Sequence, residues 1–564
     1  GERPLSNRPV IVGCGPAGLF CALLLAEKGY NPIILERGKK VKDRVKDIER
    51  FWKDGTLNER SNIQFGEGGA GTFSDGKLNT LIKDRSKRGK KVLEEFVEAG
   101  APAEITYINK PHIGTDLLRG CLVNIRKKII SLGGTFRFEE CLTDIKIKDN
   151  SVYRIITESD IIETDVLVLA IGHSARDTFE MLNNKLELIA KPFAIGVRIE
   201  HPQKMISEAQ YGEMAGHPSL GPADYKFVHK CKNGRSCYTF CMCPGGVVTA
   251  SASEKGEVVT NGMSFHERDL ENANAAVVVS IGPEDFGGEE NPLAGIEFQR
   301  QFEQKAFEVG GRNYHAPVQL FKDFKEKKVS ASFGEIYPTY RPGATFANLW
   351  DCLPGYVCES LVEGITAFGK WLENYDRDDA VLTGVETRTS SPLRITRDDD
   401  FQSNVKGIYP SGEGSGYAGG IMSASIDGLK VAEQIIKTYK PMNTHSMWID
   451  LQQNSTGKFS FGLFAGYVRN NGVKNPVEGA IASISYGVTT NWGAISATPG
   501  TRTVNYLYKV VPRLDLTLSK ALKFRLEYDR STAQWADATI KGTGTENKYL
   551  ANNNRFQLTT LFNF

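Results

Sequence analysis

The first residues with the types and spacing for chemistry are Gly13-Cys14-Gly15-Pro16-Ala17-Gly18, which fit G-x-G-x-x-G. Gly13 permits a tight turn, Gly15 lets backbone approach a pyrophosphate, and Gly18 lets a helix sit close to the preceding strand. Free N–H groups at the helix N-terminus favour anionic phosphates. Glu36 lies 18 residues beyond Gly18, where an acid can accept hydrogen bonds from a ribose diol. A secretory signal is the rival reading, since Arg3 and Arg8 precede an apolar stretch. Glycines and a proline interrupt that stretch, and no small-residue cleavage site follows.

Two further groups stand out. Between Gly66 and Gly76 five of eleven residues are glycine, which is costly to order because glycine loses the most backbone entropy on folding. Such a loop makes sense where backbone lies against a large flat ligand. Gln64-Phe65 and Thr72-Phe73 beside the glycines argue against a flexible linker, and Lys77 ends the loop as a candidate catalytic cation. Cys241 and Cys243 flank one residue and share a face on a strand. They are either a catalytic redox pair or two small buried hydrophobes. Cys231 and Cys237 raise a four-thiolate zinc site, but neither that gap nor the 241–243 gap matches C-x₂₋₄-C, and no metal is expected. His112, His173 and His266 are acid/base candidates or capping residues. Arg388, Arg394 and Arg397 either hold an anionic substrate or form a solvated basic face.

Regular elements must position these groups. Val10–Val12 reads as a strand, Leu19–Ala26 as a helix and Ile33–Leu35 as a second strand. Helices are predicted over Lys39–Trp52, Val92–Ala99 and Gly114–Leu132, and strands over Thr135–Phe138 and Cys141–Lys146. Val166–Ile171 is wholly apolar and runs into Gly172, the layout of a buried parallel strand opening on a ligand crevice. From Lys191 to Ile281 the strands Phe193–Ile199, Tyr238–Met242, Val247–Ala252 and Ala276–Ile281 predict an inserted antiparallel sheet. Helices follow at Phe298–Val309 and Tyr356–Glu373. Glycine chemistry then returns at 407–420, ahead of a helix over Ile421–Tyr439. A second glycine-rich helix N-terminus suits a large two-ended cofactor such as FAD.

Several of these stretches together carry a specific resemblance. They are Arg8–Gly13, Gly66–Lys77, Lys110–Asp116, Lys191–Arg198, Cys241–Gly246, Gly384–Pro392 and Gly412–Gly420. From about Arg8 to Pro441 the chain resembles the uncharacterised FAD-dependent dehydrogenase family (NAD(FAD)-utilising oxidoreductases). The resemblance implies non-covalent FAD held by Gly13, Gly15, Pro16, Ala17, Gly18, Glu36 and Arg37. It also implies contacts from Gly68, Gly69, Ala70, Gly71 and Thr72, from Leu142 and Gly172, and from Gly412, Glu413, Gly419, Gly420 and Ile421. Lys77 is then placed to stabilise negative charge on a reduced flavin. The implied fold is α/β: a doubly wound, Rossmann-like FAD-binding domain over 1–190 and 381–441, with an inserted sheet domain over 191–380. Family members carry a further segment before the first strand, which this chain would lack. No second G-x-G-x-x-G followed by an acid occurs, so NAD(P)H is expected only as a transient donor, if at all.

Composition sets outer limits. Hydrophobic content of 40% and charged content of 24% describe a folded protein. The net charge of +2 gives no reason to invoke nucleic acid. All ten cysteines lie at or before Cys358, which reads as reduced thiols in a cytoplasmic protein acting on a small molecule.

After Pro441 the texture changes. Phe459, Phe461, Leu463, Ala465 and Tyr467 alternate with smaller residues, and Leu514–Leu518, Phe524–Tyr528 and Phe556–Phe564 alternate apolar with polar. Strands of this kind ending on an aromatic resemble the C-terminal strands of a bacterial outer-membrane porin. Residues 442–564 are therefore expected as an all-β, partial outer-membrane-barrel-like tail, the only part with membrane character. It holds too few strands to close alone, and a foreign fusion, a tail that pairs with other chains and a soluble sheet are the three readings. The leading expectation is an FAD-dependent oxidoreductase with a dispensable tail. The alternatives are an outer-membrane pore or structural protein, and a flavin-binding module without turnover.

Overall fold

The computed structural model describes residues 3–80, 82, 84–217, 219–441, 444–453, 459–470, 502–517, 522–537 and 548–562, with side chains for those within 5–441. Five short parallel strands carry the first glycine motif. Their order is Ile408–Pro410, Leu167–Leu169, Val10–Val12, Ile33–Glu36, Thr135–Phe138. Successive strand residues go to opposite apolar layers. Ile11, Ile34 and Val168 join the cluster beneath the helices Pro16–Glu27, Thr115–Ser131 and Ile421–Thr438. Val10, Val12, Ile33 and Leu35 join a second cluster with Leu142, Ile145 and Ile155. That period of two, apolar on both sides, is the mark of a sheet buried on both faces. The second face is covered by a three-stranded antiparallel sheet, Leu142–Thr157 with Ile161–Glu163, and by the short helix Arg176–Asn183. Long crossover helices on both faces, as the doubly wound expectation implies, are not what covers it.

Close backbone approach fixes the helices on the sheet. A Cβ on Gly18 would stand 2.0 Å from the carbonyl oxygen of Gly13, and one on Gly428 would stand 2.1 Å from that of Ala17. Both glycines are thus needed for contact, of helix with turn and of helix with helix. The start and end of this unit also meet: Arg3–Pro4 pairs in parallel with Tyr439–Lys440, and the Tyr30 hydroxyl donates to the Tyr439 carbonyl at 2.6 Å.

The inserted sheet has seven strands, in the order Val228–Lys230, Ser236–Cys243, Asn272–Ile281, Phe193–Pro202, Val381–Glu386, Ala316–Leu320, Ala344–Phe346. All pairs are antiparallel except the last, which is parallel, so the sheet is mixed rather than purely antiparallel. Gly246–Ala250 pairs separately with Thr260–Ser264. Val381–Glu386 lies inside this sheet, although an expected boundary at 380 assigns it to the closing part of the FAD-binding domain.

The tail strands Thr444–Gln453, Phe459–Asn470, Arg502–Thr517, Leu522–Asp537 and Lys548–Phe562 form an antiparallel meander in sequence order. Among the described residues the first and last of them do not pair, and the barrel likeness finds no support beyond the strands themselves. No helix among the described residues is long and apolar enough to cross a membrane.

Candidate functional site

A cavity of about 800 Å³ opens along the carboxyl ends of the parallel strands and runs to the inserted sheet. Its volume lies in the range of cofactor sites. At one end Gly13 has φ +105°, a backbone that side chains rarely adopt. The Glu36 carboxylate, buried in the wall, accepts from the backbone N–H groups of Cys14, Gly38 and Gly66, each at 2.9 Å. One acid therefore ties the first glycine turn to the second glycine loop, leaving about one acceptor position for a ribose hydroxyl. Arg37 is clamped by Asp177 at 2.8 Å and Thr178 at 2.8 Å and lies over the Phe65 ring at 4.4 Å.

The glycine loop wraps around a buried cation. Arg44, on the helix Val41–Asp54, donates to the carbonyls of Asn62, Ile63 and Glu67 at 2.7–2.8 Å. Burial pulls its guanidinium down to about 10, against partial support from Glu36 and Glu67. A Cβ on Gly66 would meet the Arg44 Cδ at 2.4 Å, so glycine there is the condition for the wrap. Glu67 adds a bond from the Val41 N–H at 2.8 Å and an ion pair with Arg126 at 2.6 Å. At the third rim of the cavity, Asp427 accepts from the Gly412 N–H at 2.8 Å and pairs with Arg397 at 2.7 Å, holding the 411–413 turn beside the Ile421–Thr438 helix.

The far end holds the cysteine pair. Lys77 donates to the carbonyl of Met242 and stands 3.8 Å from Asp75, which Arg268 also grips. Cys241 is half-buried in the cavity wall and has φ +45°. The strand register breaks between Phe240 and Cys243, so the two cysteines sit on a bulge rather than at regular same-face positions. Arg198, fully buried and paired with Glu386 at 3.1 Å, donates to the Cys241 carbonyl at 2.8 Å. A hydrogen bond from Cys243 and the charges of Arg198 and Lys77 bring the Cys241 thiol down to about 6, against burial. The same hydrogen bond and burial push Cys243 up.

Residues 192–389 match the family model described as FAD-dependent protein, C-terminal domain-like. An uncharacterized protein of Clostridium beijerinckii is 54% identical over 442 residues, 78% of this chain and 82% of the relative. The chain belongs to the same family as that relative, a family of FAD-dependent proteins. Solved structures are far more distant. L-proline dehydrogenase from P. horikoshii has 15% identity and a TM-score of 0.30, covering 77% of this chain and 94% of its own. Glycerol-3-phosphate dehydrogenase from Bacillus halodurans, complexed with FAD, has 12% identity and a TM-score of 0.33, covering 78% and 67%. Likenesses that weak carry no argument about this chain.

The cavity of this flavoprotein family member fits an FAD-sized group on two observations. Added Cβ atoms on Gly172, Gly419 and Gly420 meet nothing within 4 Å, and one on Gly15 meets only Gly69 Cα at 3.8 Å, so these glycines leave open space. His173 also lines the cavity, and its Nε2 is a buried polar atom with no hydrogen-bond partner among the described residues. Of the expected contacts, Gly13, Gly15, Pro16, Ala17, Glu36, Arg37, Gly69, Ala70, Gly71 and Leu142 line the cavity, as do Gly172, Gly412, Glu413, Gly419, Gly420, Ile421, Lys77 and Cys241.

Gly18, Gly68, Thr72 and Cys243 do not line it. Gly18 serves the helix contact. A Cβ on Gly68 would meet Thr72 and Leu122 at 2.2 and 2.3 Å, so Gly68 and Thr72 brace the loop from behind. The arginine triad is not an open anion site: the five N–H donors of Arg388 go to Ser174, Ser253, Glu257 and Glu303. Arg394 donates to the Gly416 carbonyl, and Arg397 is spent on Asp427. His112 and His266 stack at 5.3 Å and bond to backbone carbonyls, away from the cavity wall. Phe65, Arg44 and Arg198 were missed by spacing alone. Arg44 sits in a basic helix that reads as a solvated face.

Proposed function

We propose that residues 8–441 hold FAD non-covalently and pass hydride or electrons between a donor and a small-molecule substrate. The observation that supports this reading is one continuous cavity bordered by both glycine-rich helix N-termini and by the 66–77 loop. The helix Pro16–Glu27, with proline at its first turn and the first-turn N–H groups of Ala17 and Gly18 beyond the reach of intrahelical acceptors, would hold the pyrophosphate. Glu36 and Arg37 would hold the ribose and adenine end, with Leu142 as an apolar wall. Gly69–Gly71 and Gly419–Ile421 would flank the flavin, and Lys77 would offset negative charge gained on reduction. Bound flavin supplies reversible two-electron chemistry. The rest of the site orients it and excludes water. NAD(P)H fits only as a donor that visits the cavity, because no second dinucleotide fingerprint accompanies the first.

Gly15→Val is the direct test. Gly15 has φ −78°, which any residue adopts, and its Cβ would point into open cavity, so the fold should persist. We expect the purified variant to melt cooperatively near the wild-type temperature while losing its flavin absorbance. A yellow Gly15→Val protein with full FAD content would overturn the proposal.

A further inference from the structure

The bulge at Cys241–Met242 lines the same cavity as the glycine motifs, with Cys243 behind it. We propose that Cys241 and Cys243 form a dithiol–disulfide relay that carries electrons from an external dithiol to the flavin. This rests on the FAD reading and names the donor class for it.

Four observations carry the inference. Cys241 is in the cavity wall while Cys243 is fully buried behind it, which is the order of an attacking thiol and a resolving thiol. The Cys243 sulfur lies 3.5 Å from the Cys241 carbonyl oxygen, its hydrogen-bond acceptor two residues back. The strand spends a bulge and a positive φ to place Cys241 there, a conformation a non-glycine residue keeps only where its surroundings enforce it. Here the enforcement is visible: Arg198 grips the Cys241 carbonyl, and Lys77 donates to the carbonyl of Met242 between the two cysteines. Those cations also favour the Cys241 thiolate, the nucleophilic form of the thiol that gives up its electrons in the step toward the flavin. The charged and titratable groups acting on it are Lys77 from the glycine loop, Arg198 from Phe193–Pro202, Glu386 from Val381–Glu386, and Cys243 from its own strand.

The step balances. The Cys241 thiolate and the Cys243 thiol lose two electrons and form an S–S bond. The Cys243 S–H bond breaks, and its proton and the electron pair pass to FAD, giving the reduced anion FADH⁻. An external dithiol then reduces the protein disulfide by exchange at Cys241 and leaves as its own disulfide. The remaining eight cysteines are not needed. Cys14 and Cys141 also line the cavity, but burial pushes both thiols up.

The test uses the full-length, flavin-loaded protein and dithiothreitol as the dithiol probe, without oxygen. Flavin absorbance should bleach in the wild type and slow by about tenfold or more in Cys241→Ser and Cys243→Ser, with FAD content unchanged. Two readouts do not depend on turnover. After mild oxidation, the peptide holding both cysteines should be lighter by two hydrogen atoms in the wild type only. Alkylation of Cys241 should follow a pH midpoint near 6 in the wild type and in Cys243→Ser, which keeps a donor. It should move up into the ordinary thiol range in Cys243→Ala. Equal bleaching in wild type and Cys241→Ser, or failure of the disulfide to form, would overturn the relay while leaving the FAD site standing. A wild-type protein that carries no flavin would overturn both.

Discussion

Arg44 shows how much of the site depends on single side chains far from any ligand. Its guanidinium satisfies three buried carbonyls of the glycine loop, a segment that has few side chains of its own to hold it. Truncating it leaves those carbonyls unpaired, at about 1–3 kcal/mol each. Arg44→Met should therefore lower the urea midpoint and empty the site together. Arg44→Lys should recover little, since one ammonium cannot reproduce a planar fork of five donors. Denaturation curves and flavin content measured on the same preparations check this. Wild-type flavin content in Arg44→Met would mean the loop holds its shape without the wrap.

At the scale of elements, the inserted sheet contributes a pH response through the strand Phe193–Pro202. His201 on that strand is fully buried, with Nε2 2.6 Å from the Tyr375 carbonyl and its ring 4.6 Å from the Tyr375 ring. Burial lowers its pKa from the ordinary histidine value of about 6.5 to about 4, with Arg377 adding to the effect and the bond to the Tyr375 carbonyl and Asp379 opposing it. The folded state thus holds the neutral ring. Its contribution is complete above the unfolded value and is lost as pH falls through the interval from about 6.5 to 4. That amounts to on the order of 3 kcal/mol at the acid end. Stability followed from pH 7 to 4 should fall less steeply in His201→Gln than in the wild type; identical slopes would remove His201 from the account. A second element-level feature is the buried ionic node that docks this sheet. Arg176 from the helix Arg176–Asn183 and Arg388 after Val381–Glu386 share Glu303 of the helix Ala294–Val309, at 2.9 and 2.8 Å. Both arginines need that carboxylate to offset their desolvation.

For the whole molecule, the structure supports an FAD-binding unit that ends where its termini pair. Arg3–Pro4 lies beside Tyr439–Lys440, and the cavity wall is drawn from residues 12–424. Among the described residues, none after Pro441 lines it. A chain ending at Pro441 should be as yellow as the full-length protein, unfold at the same urea concentration, and stay in solution at higher concentration. Among the described residues the two outermost tail strands pair on one side only, and such edges invite association. Flavin release or unfolding on truncation at Pro441 would show the tail to be part of the enzyme.

Local pattern determined much of this protein. The strand–turn–helix–strand around Gly13–Gly18, the helix after Gly420, the apolar strand before Gly172 and the alternating tail strands were all legible, because each is set by backbone needs or periodicity within a few residues. Most cavity-lining glycines were legible for the same reason. Tertiary structure alone decided the rest. In sequence Arg44 reads as solvated charge, Arg388 as an anion-holding or solvated residue, and Arg198 carries no assigned role, yet each is buried against partners 18 to 214 residues away. Glu36 reads as a ribose ligand from its spacing, and only the tertiary structure shows that it also clasps three backbone N–H groups. Cys241 and Cys243 looked like a regular strand pair, and only the bulge put one at the cavity and the other behind it. The physical reason is common to all of them. Desolvating a charge or bending a strand is favourable only when distant segments bring compensating partners, and spacing along the chain carries no record of which segments those are.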